Sequence, residues 1–177
     1  MSASPAPAGD GARVEVTVAV DPAVAFDVFT REIDLWWRKG PRFRPGGRRT
    51  GTLHLELGMG GRLFESIGEG SGEQLLEMGR ITHWEPPSRL VLDWRNANFA
   101  PAEKTEVEVR FEPLGTGTRV TVEHRGWAAL RPDHPMRHGL QGPEFSRMIG
   151  MFWGELMSSL REHVPARGSG PPAGSGR

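Results

Sequence analysis

The stretch Gly61–Trp94, GRLFESIGEGSGEQLLEMGRITHWEPPSRLVLDW, decides the fold. It reads as three extended runs, Arg62–Ile67, Leu75–Trp84 and Arg89–Arg95. The Gly-rich segment Gly68–Glu73 joins the first two, and Glu85-Pro86-Pro87-Ser88 joins the last two. Gly and Pro clusters between such runs mark tight connections. The pattern predicts a curved antiparallel sheet of the kind that holds a cavity under a long helix.

The same signals extend in both directions. Upstream, Gly58-Met59-Gly60-Gly61 turns the chain, and Thr52–Leu57 places Leu53, Leu55 and Leu57 on one face. Downstream, Thr105–Phe111 points Val107, Val109 and Phe111 inward and Glu106, Glu108 and Arg110 outward. Leu114–Thr118 is a hairpin connection, after which Val120, Val122 and His124 share a face. Near the start, Arg13–Val20 alternates Val14, Val16, Val18 and Val20 with other residues. Period two with one β-branched face is a half-buried strand. These runs make about seven strands.

Two helical regions frame them. Asp21 suits a cap and Pro22 the first helical position. Phe26, Phe29, Ile33 and Trp36 or Trp37 follow at spacings of three and four, which fits one helix or two short ones broken near Thr30. Pro143 opens the last helix, which is expected to end near Val164, before Pro165. Its stripe is Phe145, Ile149, Phe152, Leu156 and Leu160, widened by Met148, Met151, Trp153 and Met157. Arg147, Glu155, Ser159 and Glu162 form the polar side. Burying each large apolar side chain contributes ~1.5–3 kcal/mol, so the helix has to lie across the sheet. Met-rich surfaces adapt to irregular shapes, which favours a pocket over a solid core.

Composition narrows the classes. The 177 residues suffice for one domain, expected over 13–164, with tails at 1–12 and 165–177 too rich in Ser, Ala, Pro and Gly to order. Lys plus Arg and Asp plus Glu are 22 each, so net charge gives no reason to expect nucleic-acid or membrane-surface binding. There is no Cys, which removes disulfides and thiolate metal sites. No basic start precedes an apolar run, and no apolar run approaches the ~20 residues of a membrane helix. A cytoplasmic protein without membrane insertion is expected. Gly58–Gly61 leads into a strand rather than a helix, so it does not build a dinucleotide site. His134 and His138 are four apart, but Pro135 breaks the regular helix that would make them a ligand pair. No cofactor or metal is expected.

Several short matches point to one family as a set. They are Val18-Ala19-Val20-Asp21-Pro22 with Phe26 and Phe29, Ile33-Asp34-Leu35-Trp36-Trp37, Gly61-Arg62-Leu63-Phe64-Glu65, and Gly79-Arg80-Ile81 with Trp84-Glu85-Pro86-Pro87. Leu90–Trp94, Thr105–Val109, Gly117–Val120 and His124-Arg125-Gly126-Trp127 complete the set. Together they resemble the START-like (SRPBCC) superfamily, and more narrowly its branch named after the activator of heat-shock-protein-90 ATPase. The resemblance implies an α+β helix-grip fold in β-α-α-β6-α order. It also implies a hydrophobic cavity, with functions across the superfamily that include lipid carriers, metabolite binders, polyketide cyclases and a chaperone-stimulating domain linked to stress response.

Ten residues are candidates for a non-catalytic ligand site: Trp36, Trp37, Phe64, Trp94, Phe111, His124, Phe145, Met148, Phe152 and Leu156. The competing reading is a filled core. His124, continuing the Val120/Val122 face, either holds the polar end of a small hydrophobic molecule or is a satisfied structural histidine. Glu65 and Arg80 are expected to form a cross-strand ion pair, and a cyclase or dehydratase would take His124 and Glu65 as its acid–base candidates. The basic loop 38–50, with Arg38, Lys39, Arg42, Arg44, Arg48 and Arg49, is either solvated or meets an anion. A protein-interaction module with a chaperone partner is the third reading. Oligomeric state stays open.

Overall fold

The computed structural model describes residues 9–95 and 98–168, the side chains of 165–168 excepted. The order is β1 (Ala12–Val18), α1 (Pro22–Arg31), α2 (Ile33–Trp36), β2 (Thr52–Leu55), β3 (Arg62–Ile67), β4 (Gln74–Glu85), β5 (Arg89–Trp94), β6 (Thr105–Leu114), β7 (Gly117–Arg125) and α3 (Gly142–Gly168). The strands form one sheet in the order β1-β7-β6-β5-β4-β3-β2, with every neighbouring pair antiparallel. The sheet curls around α3 as a half-barrel, the predicted helix-grip fold. Register shifts at Leu63/Phe64 and Ile81/His83 add local bend and twist.

Local chemistry sets the ends of the elements. The Asp21 carboxylate accepts the Val24 N–H at 2.9 Å, and Pro22 opens α1. Glu32, at φ −109° and ψ 25°, leaves helical geometry, so the aromatic stripe is two helices rather than one. The Trp36 indole N–H then donates to the Phe29 carbonyl at 3.2 Å and ties α2 back onto α1.

The inward positions of the strands meet α1, α2 and α3 in one core that includes Leu63, Leu90, Val107, Val109, Val120 and Val122. On α3 the fully buried face is Phe145, Ile149, Trp153, Leu156, Met157, Leu160 and Val164. The stripe is therefore rotated from the expected one. Trp153 and Met157 sit at its centre, Phe152 and Met148 lie at its margin, and Met151 is 56% exposed.

The outward face of the central strands is ionic. Glu108 bonds Arg89 and Arg125, and Arg125 also reaches Glu106 and Glu123. Burial pushes the Glu108 carboxyl up, but the two arginines together hold it below the usual range.

Both domain boundaries differ from expectation. The Gly9 N–H donates to Ser146 Oγ at 3.1 Å, and the Asp10 carboxylate accepts the N–H groups of Gly126 and Ala128 at 3.2 and 3.1 Å. The Asp10 carbonyl accepts the Trp127 N–H at 3.0 Å. Residues 9–12 are thus docked, because the turn after β7 needs acceptors that the sheet does not supply. The last helix continues through Pro165 to Gly168. Residues 1–8 and 169–177, the remainder of the expected tails, lie outside the described residues.

Candidate functional site

A cavity of about 540 Å³ lies between α3, the inner face of the sheet and three loops. Met78 of β4, Trp94 of β5 and His124 of β7 line its sheet side. Met148, Ile149 and Phe152 of α3 line the opposite side. Pro41–Pro45 with Gly47, Asn98, and Trp127 with Met136 and His138 complete the wall. Its volume falls within the ~300–1,000 Å³ of small-molecule pockets, and its walls are mainly aromatic and thioether groups.

The basic loop is a structured wall, not a solvated excursion. Arg44 is only 4% exposed. Its guanidinium bonds the Asp34 carboxylate at 2.6 Å and the carbonyls of Trp37 at 2.8 Å and Arg38 at 3.2 Å. Burial pushes the Asp34 carboxyl up, but the Leu53 N–H and Arg44 together hold it below its ordinary value. From beneath, Glu65 accepts the N–H groups of Gly46 at 2.7 Å and Gly51 at 3.2 Å. Phe43, thereby positioned, stacks on Phe152 with centroids 5.5 Å apart.

His124 sits at the sheet side, 2% exposed. Its Nδ1 accepts the Trp153 indole N–H at 3.1 Å, and its Nε2 lies 2.7 Å from Thr105 Oγ1. An indole nitrogen only donates, so Nδ1 carries no proton and the neutral ring donates from Nε2 to Thr105. Desolvation by burial pushes its pKa down to about 3. The ring shows the cavity a neutral surface with both nitrogens engaged. That is suited to shape recognition and poorly suited to moving a proton.

Of the ten candidates, Trp94, His124, Met148 and Phe152 line the cavity. Trp36, Phe111, Phe145 and Leu156 are closed into the core instead. Trp37 is buried too, stacked on Trp94 at 6.1 Å and edge-on to Trp153 at 5.6 Å, so it supports the wall without forming it. Phe64 is on the other face of the sheet, stacked on His54 at 4.9 Å beneath the Arg62 guanidinium. The Glu65–Arg80 pair does not form. Glu65 is opposite Leu76 in the β3–β4 register, and Arg80 bonds Glu77 instead. Glu65 does not line the cavity that His124 lines, so the two make no common acid–base site.

Sequence reasoning missed Phe43, Met78, Trp127, Met136, His138, Asn98 and the loop arginines as lining residues. Phe43 carried a usable signal, as the one aromatic residue in a basic Pro/Gly loop. Trp127 follows a glycine held at φ 97°, a turn that directs the chain back over the sheet. His134, by contrast, is buried, its Nδ1 accepting the Met136 N–H at 3.2 Å, while His138 is exposed at the cavity rim.

Among solved structures, the chain is similar to an anthrahydroquino-γ-pyrone synthase, Txn09, with 26% identity, 90% of this chain and 99% of that one covered, and a TM-score of 0.54. It is similar to the self-sacrificing resistance protein CalC from Micromonospora echinospora, with 26% identity, 89% and 95% covered, and a TM-score of 0.53. The Aha1 dimer from Colwellia psychrerythraea shares the fold at 14% identity, with 89% and 97% covered and a TM-score of 0.59. No curated protein sequence matches. No described helix is long and apolar enough to cross a membrane. A family model described as Activator of Hsp90 ATPase homolog 1-like protein matches residues 19–142, and with the strand order, the curled sheet and the gripping helix already in place, the chain belongs to that family.

Proposed function

We propose that this protein binds a small hydrophobic or aromatic molecule, without transforming it, in the cavity between the sheet and α3. The observation that carries the reading is the cavity itself: about 540 Å³, walled by Phe43, Met78, Trp94, Trp127, Met148 and Phe152. The state of His124 supports the non-catalytic side, since both ring nitrogens are engaged. The likeness to a synthase at 26% identity supports a cyclase-type enzyme as the second reading. That reading would need a base other than the His124/Glu65 pair. The family description alone supports a chaperone-linked partner, and no feature of the cavity bears on it.

The test is a stability screen of the purified protein against hydrophobic aromatic compounds, with native mass spectrometry for co-purifying ligands. A true ligand at 100 times its dissociation constant adds about 2.7 kcal/mol to unfolding. No shift across a broad library, with no bound mass, would sink the reading.

A further inference from the structure

We infer that the ligand is an amphipathic anion: an apolar, aromatic body carrying one acidic oxygen group, held at the cavity mouth by Arg42. The inference rests on the cavity-binding reading and adds the charge and orientation of what binds. Among the described residues that line the cavity, none is Asp or Glu, whereas Arg42 and Arg44 both line it. Arg44 is consumed by its internal bonds to Asp34, Trp37 and Arg38. Arg42 is different. Its side chain is 50% exposed, its guanidinium lies 5.4 Å over the Phe43 ring, and one nitrogen bonds Glu155 Oε1 at 2.6 Å.

Arg38, Lys39, Arg48 and Arg49, on the same loop, are exposed, and none forms an ion pair with a described carboxylate. These four do not line the cavity, but they add positive charge to the loop that carries Arg42. The sheet side of the same cavity is neutral, because His124 holds no charge there. A cavity that is cationic at its entrance and uncharged within orients an amphipathic anion in one way. The apolar body goes in, against Trp94, Met148 and Phe152, and the acidic group stays at the half-solvated rim, where its desolvation is least costly. A guanidinium is suited to a carboxylate, sulfonate or phenolate oxygen and can accept it by exchanging its bond to Glu155. Glu155 is then a competitor for Arg42.

Two fluorescent dyes with one ring skeleton separate the terms: 8-anilinonaphthalene-1-sulfonate, an anion, and N-phenyl-1-naphthylamine, its uncharged counterpart. The uncharged dye is the more hydrophobic, so burial alone favours it. The expectation is that the anion binds the folded protein about tenfold more tightly, as a charge-assisted contact would give. Arg42→Gln should erase that advantage and leave the neutral dye unchanged, with the thermal midpoint retained. Glu155→Gln should act in the opposite direction and tighten the anion alone. Met148→Trp, which takes up part of the cavity beside Phe152, should weaken both dyes. Equal affinity for the two dyes, or Arg42→Gln and Glu155→Gln variants that leave the anion's affinity unmoved, would overturn the assignment of charge while leaving cavity binding intact. Binding of neither dye, or affinities for both that Met148→Trp leaves unchanged, would overturn the cavity reading and this inference with it.

Discussion

At His124, a donor and an acceptor fix one tautomer. The Trp153 indole N–H points at Nδ1, so adding a proton would set two donors against each other at a ring that is only 2% exposed. The folded pKa of about 3 lies below the ordinary value of 6.5. Below pH 6.5 the unfolded chain therefore takes up a proton that the folded chain refuses, and stability falls toward acid by up to about 1.4 kcal/mol per pH unit. Burial lowers His134 in the same direction. Asp34 and Glu108, whose values are also lowered, contribute stability above the unfolded carboxylate range and lose it only at more acidic pH. Urea unfolding at pH 7, 6 and 5 is expected to show wild type losing stability through this window, with the slope shallower in His124→Gln. Equal slopes in the two proteins would refute the assignment. The inward direction of His124 was legible from Val120 and Val122. Its partners were not, because Trp153 and Thr105 meet it from other elements. Phe64 failed for a related reason. Period two offers two faces, and apolar character favoured Phe64, whereas the fold buries Glu65 with Leu63 and Ile67 because the loop above needs an acceptor.

Among the elements, the segment between α2 and β2 departs most from its composition. Its residues 38–50, mostly Arg, Gly and Pro, read as solvent-loving, and the exposure of Arg38, Lys39, Arg48 and Arg49 agrees with that. Arg44 and Glu65 reverse it from within. Each is buried, and each satisfies backbone groups that a loop cannot pair by itself. Removing Glu65 leaves the Gly46 and Gly51 N–H groups unpaired. Glu65→Ala is expected to cost about 2–3 kcal/mol and to expose the loop. Limited trypsinolysis should then cut at Arg48 or Arg49 several-fold faster than in wild type, and an unchanged cleavage rate would count against the anchoring role. The strands and helices themselves were legible, because periodicity, caps and turn residues are local. Adjustment was needed at β1, which stops at Val18, at β2, which stops at Leu55 and leaves Leu57 exposed, and at α3, whose buried stripe turns toward Trp153 where that indole meets His124.

For the whole molecule, strand order and the gripping helix follow from local pattern, whereas the cavity does not. Its wall is assembled from the loop after α2, from β4, β5 and β7, from the loops that follow β5 and β7, and from α3, segments far apart in the chain. No single window of sequence contains it. Four candidate residues nevertheless fell on it, since large apolar side chains at inward positions either complete the core or border the gap within it. Met148→Trp tests the gap directly. The added ring occupies part of the open volume, so folding stability should stay within about 1.5 kcal/mol of wild type while ligand-induced stabilisation falls. A large loss of stability would mean the space is already filled. The contact made by Asp10 gives this architecture an unexpected dependence. Its carboxylate and carbonyl clasp the bend that carries Trp127, so one side of the chamber is braced by a residue more than a hundred positions upstream. The outline of the cavity is in this sense inherited from Gly9 and Asp10, which act as masonry for a wall built at the other end of the chain.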